Sequence, residues 1–251
     1  MHKFRIVIFA ANKSEKMKEL AAELNKQLNH ASAEEILKAV TERFGNKIAF
    51  ATSLGYEDQV ITHMIAAVCP QTGIFTLDTG RLFPETYELI DKTNARYKTN
   101  IKVMFPERTE VEEMVSAHGI NVFYDSITNH KLCCNVRKTN VLKRALSGLD
   151  AWITGLRSSQ SVTRNNMQAI EWDEVNSIVK VNPLINWSEK DVISYIKDKN
   201  VPYHALHDKG FPSIGCQPCT RAIEIGEDIR AGRWWWELPE QKECGLHKAS
   251  N

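Results

Sequence analysis

Apolar and polar positions along this chain change period again and again, and that alternation is the first guide to its fold. The opening run Phe4-Arg5-Ile6-Val7-Ile8-Phe9-Ala10-Ala11 is apolar, short and bounded by lysines, and it reads as a strand. From Glu15 to Asn29, Met17, Leu20, Leu24 and Leu28 recur at spacings of three and four, which predicts an amphipathic helix. Ser32 with Glu35 is a capping-box signal for a second helix reaching about Arg43. A strand–loop–helix rhythm follows. Lys47 to Thr52 reads as a buried strand, Ser53 to Tyr56 as a turn and Glu57 to Val68 as an apolar helix. Gly73 to Leu77 is a second buried strand, and Pro84 suits a helix start. Ile101 to Phe105 and Asp150 to Thr154 read as further strands, with helices from about Thr109 to His118 and across Asn129 to Leu149. A hairpin over Ala169 to Leu184 and a helix capped by Ser188 and Asp191, running to about Lys199, complete the pattern. Strands alternating with helices predict an α/β fold: a mainly parallel, twisted sheet flanked by helices.

Composition narrows the class. The chain has 251 residues and is 43% hydrophobic, enough for one α/β domain with a real core. We divide it into a nucleotide-binding domain over 1–215 and a C-terminal segment of the same domain over 216–251. Lys and Arg total 32 against 31 Asp and Glu, a formal charge of +1 that argues against a general nucleic-acid or membrane-surface binder. The opening apolar run is too short to span a bilayer and lacks a signal-peptide cleavage pattern, so the expected location is cytoplasmic. Six cysteines then favour a metal or catalytic role over disulfides.

The loops after the strands carry the chemistry. A helix's first turn presents unpaired N–H groups and a positive dipole end, so strand, small-residue turn and helix make an anion site. Ser53-Leu54-Gly55 and Asp78-Thr79-Gly80-Arg81 both occupy such positions, and carboxyl-end loops of a parallel sheet converge on one crevice. Gly155 to Arg164 follows a strand too, and its Arg157 and Arg164 suit a guanidinium clamp on phosphate or sulfate oxygens. Arg230 and Arg233 lie three residues apart near the end of the chain. Four cysteines make a four-thiolate set: the adjacent Cys133 and Cys134, expected at the head of a helix, and the Cys216-x-x-Cys219 pair. By spacing alone a Zn(Cys)4 site competes with an iron–sulfur cluster, although directly adjacent ligands are awkward for zinc. Cys69, ending an apolar helix, reads as a buried structural thiol, and Trp234-Trp235-Trp236 as packing or interface anchors. Cys244, near His247, is left over.

With these motifs in hand, the sequence resembles the adenylyl- and phosphoadenylyl-sulfate reductase family of assimilatory sulfate reduction, in its iron–sulfur branch. The resemblance runs from about Ala31 to His247. It rests on Ser53-Leu54-Gly55-Tyr56-Glu57-Asp58, on Leu77 to Thr86, on Gly155-Leu156-Arg157 with Gln160-Ser161 and Arg164, on the four cysteines, and on Glu243-Cys244-Gly245-Leu246-His247. It implies a fold like that of the adenine nucleotide alpha-hydrolases with a C-terminal catalytic tail folding over the crevice. The first loop lacks the Ser-Gly-Gly-x-Asp-Ser form, so ATP cleavage is not expected.

The resemblance implies a [4Fe-4S] cluster on Cys133, Cys134, Cys216 and Cys219. It implies thioredoxin-dependent reduction of adenylyl sulfate (APS) to sulfite and AMP through a sulfonate on Cys244, with His247 assisting, and electrons from a separate thioredoxin or glutaredoxin-like protein. Ser53, Gly55, Leu77, Asp78, Thr79 and Gly80 are expected to cradle the nucleotide, and Lys138, Arg157, Arg164, Arg230 and Arg233 the phosphosulfate. Reduction of the 3′-phosphorylated nucleotide (PAPS), or of both, is the alternative; an iron–sulfur redox sensor and an RNA sulfur-transfer enzyme are more distant ones. Cluster-bearing relatives imply a homo-oligomer.

Overall fold

The structure, a computed structural model, describes residues 2–160 and 167–238, with side chains from residue 13 onward. Six strands, β1 (Ile48–Thr52), β2 (Gly73–Leu77), β3 (Lys102–Met104), β4 (Ala151–Ile153), β5 (Ile170–Asp173) and β6 (Ile178–Val181), form one sheet in the order β3-β2-β1-β4-β6-β5. All neighbours pair parallel except β5, which runs antiparallel to β6 as the predicted hairpin. Period-two alternation splits each central strand between two cores. Phe50, Ile74, Ala151 and Ile153 enter the larger one, while Phe75 and Trp152 enter a smaller one with Leu142 and Leu146 on the opposite face.

The larger core is closed by α1 (His2–Gln27), α2 (Ala33–Phe44), α3 (Tyr56–Val68), α4 (Pro84–Tyr97) and α8 (Glu189–Asp198); the helices between them are α5 (Arg108–His118), α6 (Ile127–Cys134) and α7 (Asn140–Leu146). Both predicted capping boxes form, Ser32 with Glu35 and Ser188 with Asp191, each pairing two N-terminal N–H groups that the helix itself leaves open.

The first eleven residues correct the sequence reading. Residues 4–11 belong to α1 and are not a strand. An edge strand needs a neighbour for its N–H and C=O groups, whereas a helix satisfies them internally, and the periodic segment from Glu15 onward already supplies the nucleus to extend. Lys13 pairs with Asp150 at 2.8 Å, and Asn25 accepts from the Ile170 N–H at 3.1 Å, fixing α1 against the sheet.

The chain runs β1, β2, β3 outward in one direction and then returns to place β4 and β6 on the other side of β1. The order reverses between β1 and β4. A crevice outside their carboxyl ends is the expected ligand position in an open parallel sheet.

Candidate active site

A cleft of about 310 Å3 opens there. Its floor is the β1–α3 turn. Leu54 holds a left-handed backbone (φ 64), uncommon for a branched residue, and is buried with its N–H donating to Thr52 Oγ1 at 3.0 Å. Asp58, in the first turn of α3, reaches back so that its carboxylate accepts from the Ser53 N–H at 2.5 Å and the Ser53 hydroxyl at 2.7 Å. Burial pushes Asp58 up to about 7; the Ser53 bonds oppose the rise and neighbouring Glu57 adds to it. The opposite wall approaches so closely that a Cβ on Gly155 would run into this carboxylate, which explains a glycine at the end of β4.

Of the expected nucleotide cradle, Ser53, Gly55, Leu77 and Thr79 line the cleft. Asp78 and Gly80 stand behind it: Asp78 is buried and accepts from the Gly80 N–H at 2.7 Å and the Tyr87 hydroxyl at 3.2 Å, bracing the loop. Lys138, Arg157, Arg230 and Arg233 line the cleft from three separate stretches of chain. Arg157 carries a partner the sequence reading left out. Its Nε donates to Glu57 at 2.7 Å and its Nη1 to Ser159 at 2.7 Å, so this guanidinium is half neutralised within the wall. Arg233 lies over the Trp234 ring at 4.4 Å and above Gly215, where any side chain would collide with the guanidinium. Arg164, Cys244 and His247 lie outside the described residues.

Behind the cleft is a second, smaller cavity of about 20 Å3, and all four cysteines line it, with Arg81, Arg137, Lys138, Arg233, Phe123, His130, Pro218 and Trp234. Lys138, Arg233 and Trp234 are common to both cavities. Cys133 and Cys134 do not head a helix as expected. Ser126 caps α6 well upstream, accepting from the Asn129 N–H, and the two cysteines close that helix just before a single π-helical stretch, Asn135–Thr139. Stretches of this kind are rare and recur at functional positions. This one carries Arg137 and Lys138: Arg137 Nη1 donates to the Thr79 carbonyl at 2.6 Å, and Lys138 faces both cavities. The helix dipole therefore does not favour these thiolates; cationic side chains do.

The Thr79 hydroxyl lies 3.2 Å from Cys216 Sγ, joining the β2 loop to the Cys-x-x-Cys pair. Burial alone would raise the Cys216 thiol, but Lys138, Thr79, Arg233 and Arg137 outweigh it and hold the thiol below its ordinary value. Burial drives Cys133 up and Cys219 to about 12. Among the described residues, no three His, Cys, Asp or Glu side chains converge to hold a single metal ion. Cys69 is buried in the main core, as expected. Within the tryptophan run Trp234 is buried, and Trp235 and Trp236 pack with Tyr124 at ring distances of 6.5 and 4.4 Å.

Two further residues went unnoticed in the sequence. His130 is fully buried beside the thiol cavity, and its Nδ1–H donates to Glu237 at 2.8 Å. Burial, reinforced by Lys138, Arg233 and Lys131, lowers His130 to about 4. The only sequence signal was a histidine three residues before the paired cysteines, on the same helix.

The family model for the phosphoadenosine phosphosulfate reductase domain matches residues 47–222, which span both cavities apart from the Ile229–Trp234 wall. The adenosine 5′-phosphosulfate reductase of Allochromatium vinosum is 52% identical over 87% of this chain and 85% of its own length. That of Burkholderia cepacia is 49% identical over 84% of each. Among solved structures, a phosphoadenylyl-sulfate (PAPS) reductase from Candida auris in a phosphate complex superposes with a TM-score of 0.70 at 32% identity, covering 82% of this chain and 97% of that one. An FMN adenylyltransferase from Candida glabrata, at 15% identity and a TM-score of 0.55 over 91% and 85% of the two chains, shares the fold alone. With a cationic cleft at the β1–β4 switch point and this degree of likeness over most of its length, the chain belongs to the phosphoadenosine phosphosulfate reductase domain family.

Proposed function

We propose that this protein reduces adenylyl sulfate to sulfite and AMP, taking two electrons from a dithiol protein such as thioredoxin. One observation carries the reading: a nucleotide-sized cleft at the sheet's switch point whose inner wall gathers Lys138, Arg230 and Arg233, the donors an adjoining phosphate and sulfate need. The relatives at 52% and 49% identity are named for the unphosphorylated nucleotide, which favours it over the 3′-phosphorylated one.

In this reading the loops hold AMP as leaving group and the cations disperse its charge while the sulfonyl sulfur is attacked. Cys244 thiolate forms a bond to that sulfur as the sulfur–oxygen bond to phosphate breaks, leaving Cys–S–SO3⁻. A reductant thiolate then attacks Cys244 Sγ, sulfite departs with the bonding pair, and the second reductant thiol resolves the mixed disulfide. His247 stands near the nucleophile in sequence and assists its ionisation. The glycine after Cys244 suits a segment that must present one atom to the cleft and then to a protein partner.

The thiol cavity fits a [4Fe-4S] cluster. Cys133, Cys134, Cys216 and Cys219 line one space, the thiol donors that such a cluster would take, and among the described residues four cationic side chains and no carboxylate line it with them. Such a group would add a fixed local charge beside the anion and hold buried thiols as thiolates. Lys138 and Arg233, in the shared wall, orient the substrate's anionic end. Sulfite release from APS with thioredoxin, run beside PAPS, tests the reading; no sulfite from either nucleotide overturns it.

A further inference from the structure

Two of the three residues that the two cavities share sit in one short turn, residues 233–237. Arg233 and Trp234 form their common wall, the Trp234 N–H donates to the Cys219 carbonyl at 3.2 Å, and the Glu237 N–H closes the turn on the Trp234 carbonyl at 2.9 Å. Trp234 adopts a left-handed backbone (φ 39) while almost fully buried, a conformation that persists only where the surroundings overdetermine it. His130 is part of those surroundings. Its ring packs on Trp234 with centroids 4.8 Å apart, and its Nδ1 lies 2.8 and 3.1 Å from the two Glu237 carboxylate oxygens. The two side chains are 0% and 4% exposed.

We propose that His130 and Glu237 are positioning residues: a clasp that fixes where, and in which direction, the chain departs toward Cys244. The inference rests on the reading of Cys244 as nucleophile. Cys244 is seven residues beyond Glu237; fully extended, that tether reaches no more than about 24 Å, so the anchor bounds the space the thiol can visit. A buried polar pair is a poor way to gain stability, since well-packed apolar residues of the same volume do as well or better. It does restrict the turn to one geometry. His130 also lies on the helix that ends in Cys133 and Cys134 and lines their cavity, so the clasp ties the departing segment to the thiol-bearing helix.

The test uses full-length protein carrying its cluster, in the parent, Glu237→Ala and Glu237→Gln forms. Iron and sulfide content, AMP affinity, the rate of Cys244 alkylation by iodoacetamide without nucleotide, and kcat and KM for APS are measured. For Glu237→Ala, iron content and AMP affinity are expected within twofold of the parent, alkylation several-fold faster, and kcat about tenfold lower at unchanged KM. Glu237→Gln, which keeps an acceptor for the His130 N–H, recovers most of both losses. Should Glu237→Ala be insoluble, Glu237→Asp retracts the carboxylate by one methylene and carries the same expectation. Loss of iron, or alkylation and kcat equal to the parent's, overturns the clasp. Failure of the nucleophile reading is separate: it shows as sulfite formation by Cys244→Ser, while the alkylation difference still reports on the clasp.

Discussion

The nucleotide cleft and the thiol cavity share a wall, yet they are put together in opposite ways. The cleft is built mostly from short local motifs, each a strand end, a tight turn and a helix start, and it mixes charges: Glu57, Asp58 and Glu189 line it along with the cations. The thiol cavity gathers side chains from distant parts of the chain into an apolar space with cations and, among the described residues, no carboxylate. Acidic groups in the cleft suit a ligand with an uncharged nucleoside end and an anionic end. The cations of the smaller cavity suit a site whose contents are anionic. Lys138 and Arg233 face both cavities.

The sharpest break of this comparison removes the proposed nucleophile, Cys244, which lies outside the described residues. Cys244→Ser should lower sulfite formation at least about a thousandfold while AMP affinity and iron content stay at parent levels, read by calorimetry and iron assay. If AMP affinity fell too, the tail would belong to the cleft. Next, Cys219→Ser should empty the thiol cavity alone: brown colour and iron are lost, and activity with them, whereas the main-core cysteine variant Cys69→Ala keeps its iron.

The shared wall comes third. Arg233→Ala removes a largely buried cation over Gly215 and Trp234, and APS affinity should fall about 10- to 100-fold. Glu57→Gln, by contrast, releases Arg157 from its carboxylate and should tighten binding of sulfate-bearing nucleotide by a few-fold at most. Competition against a fluorescent nucleotide measures both, and equal effects of the two variants would erase the distinction between the walls.

The smallest effect concerns stability. Asp58 is raised from 3.8 to about 7 in the folded protein, so between those values the folded state binds more protons than the unfolded one and stability falls as pH rises. The shift sets a ceiling of roughly 4 kcal/mol. Asp58→Asn keeps an acceptor for Ser53 and should gain about 1–2 kcal/mol at pH 8 and almost nothing at pH 4. Thermal unfolding at the two values checks this, and a gain of equal size at both would mean the carboxylate is not the titrating group.

Legibility followed the range of the interaction. Ser32, Glu35, Ser188 and Asp191 were readable because a capping box closes within four residues, and β2 was readable to the residue because a buried strand bounded by glycine and aspartate leaves little choice. Arg157 was found through the loop that carries it. Its partner was not: nothing near Arg157 in sequence points to Glu57, a hundred residues away, and nothing near Glu237 points to His130.

The sequence by itself determined the parallel α/β alternation, the loops that converge at the strand ends and the residue types that could serve an anion and a metal group, because periodicity, capping and turn chemistry are local. Only the tertiary structure decided that residues 4–11 extend a helix, that Cys133 and Cys134 end one helix ahead of a π-helical stretch, and that Lys138, Arg233 and Trp234 stand between two cavities. Each of those outcomes depends on which distant backbone or side chain is available to pair with, and that is fixed when the sheet and its helices pack.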